Sequence, residues 1–424
     1  MNEKTVHPGY KWIIAAVCFL TVAVGLGFCA QKGIYLKTVT EALQISRSAF
    51  SVNEICRYVS TAVLNLFFGT LIVKLRSKRM MLCGAVMLLC SSLCYAFAQN
   101  VWLIYLGGLL LGSGLAWCTT TMVGYVIGKW FPEKRGTVIG VVLAASGLGS
   151  ALCTKLLRPV IKGEAFLLGQ TGWRFSYLFT AGLMIPVFLL ILFLFREAPK
   201  SLSDAAPADK KRRGRAWVGM EWSEVRRKPY FYIAAVCVFF TGLCLQSANG
   251  ISVAHLEDVG LESGYITNIA SYYALTLCFA KMLTGFCYDK LGLRLTLLSS
   301  MLFGSVAIFL LASVSLSSPG LALANELMIP FGLPMETIML PLIAADMFGE
   351  KAFAKVMGLF VSINTAGYAV GALLSNAAFD LLGSYRLPLY IFAGVLLTAA
   401  VTQQLCLIPA ERDRAAILKA AENA

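Results

Sequence analysis

Long apolar runs separated by short polar stretches dominate this chain. Each run is about as long as the ~20 residues that a helix needs to cross a hydrocarbon core of ~30 Å. The pattern therefore predicts twelve membrane-spanning helices. They cover residues 12–36, 50–73, 80–99, 101–130, 136–160, 174–195, 230–253, 265–288, 295–316, 321–345, 354–379 and 387–409.

Lysine and arginine are unevenly distributed between the loops. One alternating set is rich in these residues, as at 76–79, 129–135 and 290–294, and the other set is poorer. Because cytoplasmic loops carry the excess of positive charge, the rich set is predicted to be cytoplasmic. Both termini are then cytoplasmic, as an even number of spans requires. The prediction is a multi-pass protein of the cytoplasmic membrane.

The longest hydrophilic segment, residues 196–229, divides the spans into two sets of six. It is predicted to be a cytoplasmic linker, whose basic run KKRRGR at 210–215 either only sets the topology or binds lipid head groups. The predicted bundles are residues 1–195 and 230–424. Short sequences recur in both, such as GTLIVKLRSKR from Gly69 and GFCYDKLGLR from Gly285. Two like-oriented six-helix repeats indicate a transporter with its site between the halves.

Composition agrees with a membrane protein. The chain is 58% hydrophobic and 14% charged, with a mean hydropathy of +0.75, whereas soluble domains are about half apolar and a quarter charged. The net charge of +14 lies in loops, which favours anionic lipid over nucleic acid as its partner. Thirteen cysteines lie almost all in apolar runs, and there are two histidines. We therefore expect no metal, no cofactor and no enzyme activity.

Two motifs resemble known families. GFCYDKLGLR, residues 285–294, resembles the loop motif that follows the eighth helix in the major facilitator superfamily. KWFPEKRGTVIGVVLAASGLG, which begins at Lys129, is similar to a pattern typical of oxalate/formate antiporters and monocarboxylate porters. The resemblance covers essentially the whole chain. It implies the major facilitator fold, an all-α membrane protein of twelve helices in two pseudo-symmetric six-helix bundles.

The resemblance also implies a gating role for the loop motif. In the family, its Asp helps to hold the two halves in one state through hydrogen bonds to a helix end. Here the motif residues are Gly285, Asp289, Lys290 and Arg294. In the first-half copy, Val73 replaces the corresponding Asp. The equivalent contact is therefore in doubt in the first half.

Lys281 lies inside an apolar run, eight residues before Asp289. That spacing places it ~12 Å from the mouth of the span, close to the midplane of the membrane. A charge at this depth should face water, a counter-ion or an anionic substrate. In the resembling branch, a cation four residues before this Gly binds the substrate carboxylate. Lys281 is therefore the candidate anchor, and the alternative is a structural ion pair with a neighbouring helix.

Four other ionisable residues are candidates within the spans. Lys32 either snorkels to the interface or binds substrate. Arg57 and Glu54 are spaced for a self-neutralising pair, which could instead open to hold an anion or let Glu54 carry a proton. Glu336 is the acidic residue nearest the midplane in the second half. It either couples protons or pairs with Lys281.

Neutral polar residues could complete the substrate cavity. The candidates are Tyr125, Gln246, Asn249 and Asn364.

Two further ionisable residues are expected to lie outside the cavity. Glu326, near the outer mouth, is expected to be solvated, and His255 is expected to lie in a surface loop.

These features predict a secondary active transporter, expected to be a monomer surrounded by lipid, that moves a mono- or dicarboxylate by alternating access. Coupling is by proton symport or by exchange for a second anion. One alternative is an efflux pump for amphiphilic drugs or neutral solutes, which the aromatic and Met content would suit. Another is a membrane sensor that binds ligand without transporting it.

Overall fold

The protein is helical almost throughout. The only sheet in the described part of the chain is the antiparallel pair β1 (Phe166–Leu167) and β2 (Gln170–Thr171). Lys32 and the basic run 210–215 lie outside the described residues. The computed structural model describes residues 9–31, 34–45, 47–162, 166–167, 170–198, 217 and 219–422.

The chain forms two compact units. The first contains residues 1–131 and 141–205, and the second contains 132–140 and 206–424. The linker at 196–229 stays a prediction. The helices of the first unit are α1 (Tyr10–Val24, continued by a π-helical turn over Gly25–Cys29), α2 (Leu36–Leu43), α3 (Arg47–Leu66), α4 (Phe68–Ala96), α5 (Val101–Cys118), α6 (Thr120–Trp130), α7 (Arg135–Lys162, shared with the second unit) and α8 (Gly172–Leu194).

The second unit has the same kind of helices, two of them interrupted by π-helical turns. Such turns insert one extra residue and are frequent at functional sites. The helices are α9 (Trp222–Val225), α10 (Pro229–Thr241, followed by a π-helical turn over Gly242–Gln246), α11 (Ser247–Asp258), α12 (Ser263–Ala312), α13 (Gly320–Gly332, followed after two residues by a π-helical turn over Met335–Met339), α14 (Leu340–Leu382) and α15 (Arg386–Glu422).

Local sequence explains where several helices begin and end. The side chain of Asn100 accepts a hydrogen bond from the Leu103 N–H at 3.1 Å and so caps the start of α5. Pro229 occupies the first turn of α10, where its missing N–H costs nothing. Gly383 ends α14 in a left-handed conformation, with a φ of +66°.

Two long helices, α12 and α14, each continue from one span into the next across an internal break. Nine helical segments in the described ranges are long and apolar enough to cross a membrane. Two of them, Gly264–Ala312 and Gly320–Leu382, are more than twice the length that one crossing needs. They break at Gly292 and Gly349, where φ is +80° and +77°. The remaining span is α3 with the beginning of α4. Together these segments account for the twelve predicted crossings.

Arg76 occupies the break within α4, and its backbone is strained. It has a φ of +63° and a ψ of 158°. Residues in this region are nearly always glycine, because a Cβ is crowded there. When Gly69 is aligned with Gly285, Arg76 stands where the second half has Gly292. The turn between the second and third spans therefore keeps the shape of its counterpart without the suitable residue.

We expect Arg76→Gly to raise the free energy of unfolding by about 1 kcal/mol, because it relieves this strain. The measurement is the thermal unfolding midpoint of the purified protein in detergent. Arg79→Gly is the control, since Arg79 is exposed in regular helix three residues later. That change should lower stability by up to about 1 kcal/mol. Equal destabilisation by both variants would contradict the strain.

Candidate functional site

Lys281 lies deep within α12. It precedes the break at Gly292 by eleven residues, which is about 16 Å of helix. The residue is only 7% exposed. The start of α7 packs directly on this point, because a Cβ added at Gly140 would lie 2.6 Å from the Lys281 carbonyl oxygen. The lysine is therefore enclosed by protein rather than exposed to lipid.

One turn further along α12, Gly285 meets Gly136 of α7. A Cβ added at Gly285 would lie 2.8 Å from the Gly136 carbonyl carbon, so only glycine fits. Asp289 follows after another turn and accepts hydrogen bonds from the backbone N–H groups of Gly136 at 3.1 Å and Thr137 at 2.7 Å. These N–H groups have no partner within their own helix. The carboxylate therefore caps α7 and faces the positive end of its dipole.

The other charged motif residues make different contacts. Lys290 is exposed. The Arg294 guanidinium donates to the Gln404 side chain at 3.3 Å, and thus fastens the turn after the eighth span to α15. Asp346 accepts a hydrogen bond from the Tyr288 hydroxyl at 2.9 Å. Asp289 and Asp346 therefore anchor the same end of α12 from two directions.

Glu336 lies in the π-helical turn of the tenth span and is 5% exposed. Neither of its carboxyl oxygens has a hydrogen-bond partner among the described residues. Gln246, from the π-helical turn of the seventh span, lies alongside it but outside hydrogen-bond geometry. Glu336 therefore makes no hydrogen-bonded ion pair with Lys281 in this structure. A buried carboxyl in this state costs free energy unless it carries a proton or meets a ligand.

Two expectations about polar residues near the ends of their spans were wrong. Glu326 was expected to be solvated, but it is 6% exposed and accepts a hydrogen bond from the Asn325 side chain at 3.2 Å. His255 was expected in a surface loop, but it is 2% exposed within α11, with a ring nitrogen 3.0 Å from the Leu311 carbonyl oxygen. In both cases a neighbouring helix covers a polar group that hydropathy alone places at the membrane surface.

In the first unit, Arg57 and Glu54 form the ion pair that their spacing allows. Their side chains are 15% and 33% exposed, and the guanidinium lies 4.2 Å from the centre of the Tyr58 ring. Tyr125 is half-buried and accepts a hydrogen bond from the Lys129 ammonium at 2.6 Å. Each of these charges is therefore partly offset within its own helix.

The first unit also shows how the fold fills the position equivalent to Lys281. Asn65 precedes Gly69 by four residues, as Lys281 precedes Gly285. The Asn65 amide donates to the Thr61 carbonyl at 2.8 Å, and its oxygen accepts from Thr121 at 2.7 Å. A neutral side chain thus satisfies this buried position, and the architecture does not require a cation there.

The neutral candidates of the second unit have different surroundings. Asn364 donates to the Val238 carbonyl at 3.1 Å and to Thr241 at 3.3 Å, so its amide joins α14 to α10. Asn249 lines a small cavity together with Ser252 of α11 and Asn325 of α13, the residue that directly precedes Glu326. Gln246 faces Glu336, as described above. Asn364 therefore holds helices together, whereas the other two line the buried carboxyls.

Tyr273 and Asn325 were missed by the sequence reasoning. Tyr273 lies eight residues before Lys281, about two helical turns along α12. Asn325 directly precedes Glu326, and its own side-chain oxygen is buried without a hydrogen-bond partner in the described structure. A sequence signal existed, since both are polar residues inside apolar runs on helices that carry buried charges. Within the described ranges, no group of three or more His, Cys, Asp or Glu residues could hold a metal ion.

Comparison with known proteins identifies a family and several relatives of this chain. The family model of the Major Facilitator Superfamily matches residues 16–345 and 234–423. Monocarboxylate transporter 13 of Rattus norvegicus is 24% identical over 94% of this chain and 90% of its own length. The oxalate:formate antiporter of Oxalobacter formigenes is 25% identical over 89% of this chain and 87% of its own.

A solved structure shows the likeness in fold. The crystal structure of the transporter FucP in its outward conformation superimposes with a TM-score of 0.72, covering 94% of this chain and 99% of that one. The sequence identity is 13%. This likeness therefore concerns the fold alone.

Proposed function

This chain belongs to the Major Facilitator Superfamily, and from that premise we propose that it moves a small organic anion, a mono- or dicarboxylate, across the cytoplasmic membrane. It is a multi-pass membrane transporter and not an enzyme. The names of two relatives, a monocarboxylate transporter and an oxalate:formate antiporter, support an organic anion as its substrate.

The observation that carries this proposal is the buried Lys281. A lysine at the centre of a membrane helix costs about 2.5–3.5 kcal/mol on insertion scales. The fold does not demand that cost, because neutral Asn65 fills the equivalent position in the first unit. A carboxylate substrate would place a negative charge beside this cation and form a charge-assisted hydrogen bond with it. Arg57 is a second cation for this role if its pair with Glu54 opens, and Lys32 is a third candidate.

Transport would proceed by alternating access, with the substrate site exposed first to one side of the membrane and then to the other. In this proposal, the contact of Asp289 with the start of α7 stabilises one of the two states. Gly285 permits the close approach, and Lys290 and Arg294 support the turn. Val73 is 80% exposed in the first-half copy and offers no carboxylate for such a contact. The gate would therefore depend on the second-half motif.

Coupling is proposed to use a buried carboxyl. Glu336 is enclosed and without hydrogen-bond partners in the described structure, which suits a group that binds and releases a proton. Glu54 is a weaker candidate because its carboxylate already forms an ion pair with Arg57. Exchange for a second anion would need neither group. The proposed orientation places both termini in the cytoplasm, and the protein is proposed to act as a monomer.

A counterflow screen tests the proposed function. Purified protein in liposomes is loaded with unlabelled oxalate, formate or lactate, and entry of the labelled compound is followed at two pH values. We expect saturable exchange of at least one carboxylate, with no exchange in protein-free liposomes. Exchange of cationic dyes or neutral sugars without any carboxylate would instead support the efflux or neutral-solute alternative. Binding of a carboxylate without any flux would support a sensor.

A further inference from the structure

A charged cavity lies in the second unit where the eighth, tenth and twelfth spans end. Its walls come from α12 around its break, from α14 just before its break, and from the last part of α15. Its volume is about 510 Å³, within the ~300–1,000 Å³ of sites that bind small molecules. We call it the span-end cavity. Among the residues that line it are Leu291, Arg294, Leu295, Asp346, Glu411 and Arg414.

Four ionisable side chains line the span-end cavity, and two of them are paired with each other. Asp346 lies 3.7 Å from the Arg414 guanidinium. Arg294 forms no ion pair with a described residue, and neither does Glu411. The cavity therefore presents one cation and one anion to which the described part of the chain supplies no counter-charge.

Arg294 is held in a position that suits binding of a phosphate. Its Nε donates to the Gln404 side chain at 3.3 Å, and the Gln404 amide donates to the Arg294 carbonyl oxygen at 3.0 Å. Its two terminal nitrogens make no hydrogen bond to a described residue. A guanidinium has five N–H donors in a planar fork that matches a phosphate. One edge of Arg294 thus anchors the side chain, and the other nitrogens can bind a ligand.

Apolar side chains next to these charges are exposed. Leu291 and Leu295, on either side of Arg294 in sequence, are 48% and 52% exposed. Near the ends of membrane spans, exposed leucines contact the acyl chains of lipid. Basic pockets between transmembrane helices bind lipid head groups. The span-end cavity therefore combines charged groups and an apolar border, which suits an amphiphile better than a wholly polar solute.

We propose that the span-end cavity binds the head group of a phospholipid that carries a primary ammonium as well as a phosphate, as phosphatidylethanolamine does. The phosphate accepts hydrogen bonds from Arg294, and the ammonium donates to Glu411. The acyl chains lie along Leu291 and Leu295. A purely anionic head group would leave Glu411 without a counter-charge, and a trimethylammonium group has no N–H to donate.

Lipid titrations of the purified protein in detergent test this assignment. Dioctanoyl forms of phosphatidylethanolamine, phosphatidylglycerol and phosphatidylcholine are compared by their dissociation constants, measured by microscale thermophoresis. We expect the ethanolamine lipid to bind about 10-fold more tightly than either of the others. One charge-assisted hydrogen bond accounts for a factor of that size, and neither of the other head groups can donate it from an ammonium.

Three variants locate the binding on the proposed residues. Arg294→Gln should weaken binding of all three lipids by roughly 10-fold, because each head group contains a phosphate. Glu411→Gln should weaken binding of the ethanolamine lipid alone and abolish the preference for it. Arg412→Gln is the matched control, since Arg412 is the exposed neighbour of Glu411 and does not line the cavity. The thermal unfolding midpoint of each variant reports whether folding is intact.

Other outcomes would overturn the assignment. Equal affinity of the unchanged protein for all three lipids would do so, as would a preference for the ethanolamine lipid that survives in Glu411→Gln. Tighter binding of phosphatidylglycerol would assign the span-end cavity to an anionic head group instead. Free phosphoethanolamine is expected to compete only weakly, because it has no acyl chains. Competition at the same concentration as the dioctanoyl lipid would assign the cavity to a soluble ligand.

This binding site does not depend on the transported compound. The titrations contain no carboxylate and measure no flux, so their failure would leave the proposed carboxylate transport intact. Conversely, absence of all carboxylate counterflow would refute the proposed function without affecting the measured lipid affinities.

Discussion

Lys281→Gln is expected to reduce carboxylate uptake in liposomes by at least ~30-fold, because removing one partner of a buried charge pair costs about 2–5 kcal/mol. Glutamine keeps much of the length and can still donate hydrogen bonds, but it carries no charge. The protein should remain folded, since neutral Asn65 occupies the equivalent position in the first unit without strain on its hydrogen bonds. The measurement is the initial rate of uptake of a carboxylate found in the counterflow screen.

Two further variants make this test specific. Lys281→Arg keeps the charge and should retain part of the uptake, which a purely steric role would not explain. Lys355→Gln removes an equal charge from an exposed position on α14 and should leave uptake unchanged. The thermal unfolding midpoint of each variant reports whether folding is intact. Uptake by Lys281→Gln at the rate of the unchanged protein would remove the lysine from the substrate site.

Gly285→Ala is expected to destabilise the protein by about 1–3 kcal/mol, the usual cost of overpacking a tight contact. The added Cβ would overlap the Gly136 carbonyl group, and backbone atoms cannot rotate away as a side chain can. Separation of α7 from α12 would also lengthen the two hydrogen bonds that Asp289 accepts. The measurement is the thermal unfolding midpoint in detergent, which should fall by several degrees.

Gly394→Ala is the matched control for this prediction. Gly394 lies in α15 of the same unit, and a Cβ added there would meet nothing within 4 Å. Alanine has the higher helix propensity, so the control should be neutral or stabilising by up to ~1 kcal/mol. Equal unfolding midpoints for the two variants would show that the α7–α12 contact is looser than the structure indicates.

The membrane architecture could be predicted because hydrophobic run length reports directly on the thickness of the bilayer. The apolar runs predicted twelve spans, and the similar sequences that begin at Gly69 and Gly285 related the two halves of the chain. Boundaries were less accurate. The first span was predicted to reach residue 36, but α1 and its π-helical turn end at Cys29 and α2 begins separately at Leu36. Hydropathy averages over a window and cannot detect such a turn.

Lys281 was also recognisable as a candidate from the sequence, because a lysine inside an apolar run is unusual in any structure. The surroundings of Glu326 and Glu336 could not be predicted from the sequence. Glu326 and His255 were placed at the surface by their distance from the span ends, whereas packing by adjacent helices buries both. Tyr273 was overlooked because a tyrosine is common near membrane interfaces.

The hydropathy pattern of the sequence was therefore sufficient to determine the class of protein, the number of spans and the presence of a charged lysine within a span. Each of these follows from the free energy of transferring side chains between water and lipid. The contacts between side chains could be determined only from the tertiary structure. Three features depend on how helices distant in sequence pack: the capping of α7 by Asp289, the neutral Asn65 at the position equivalent to Lys281, and the Glu336 oxygens, which have no hydrogen-bond partner among the described residues. Burial and hydrogen bonding are set by those contacts, and no hydropathy window contains them.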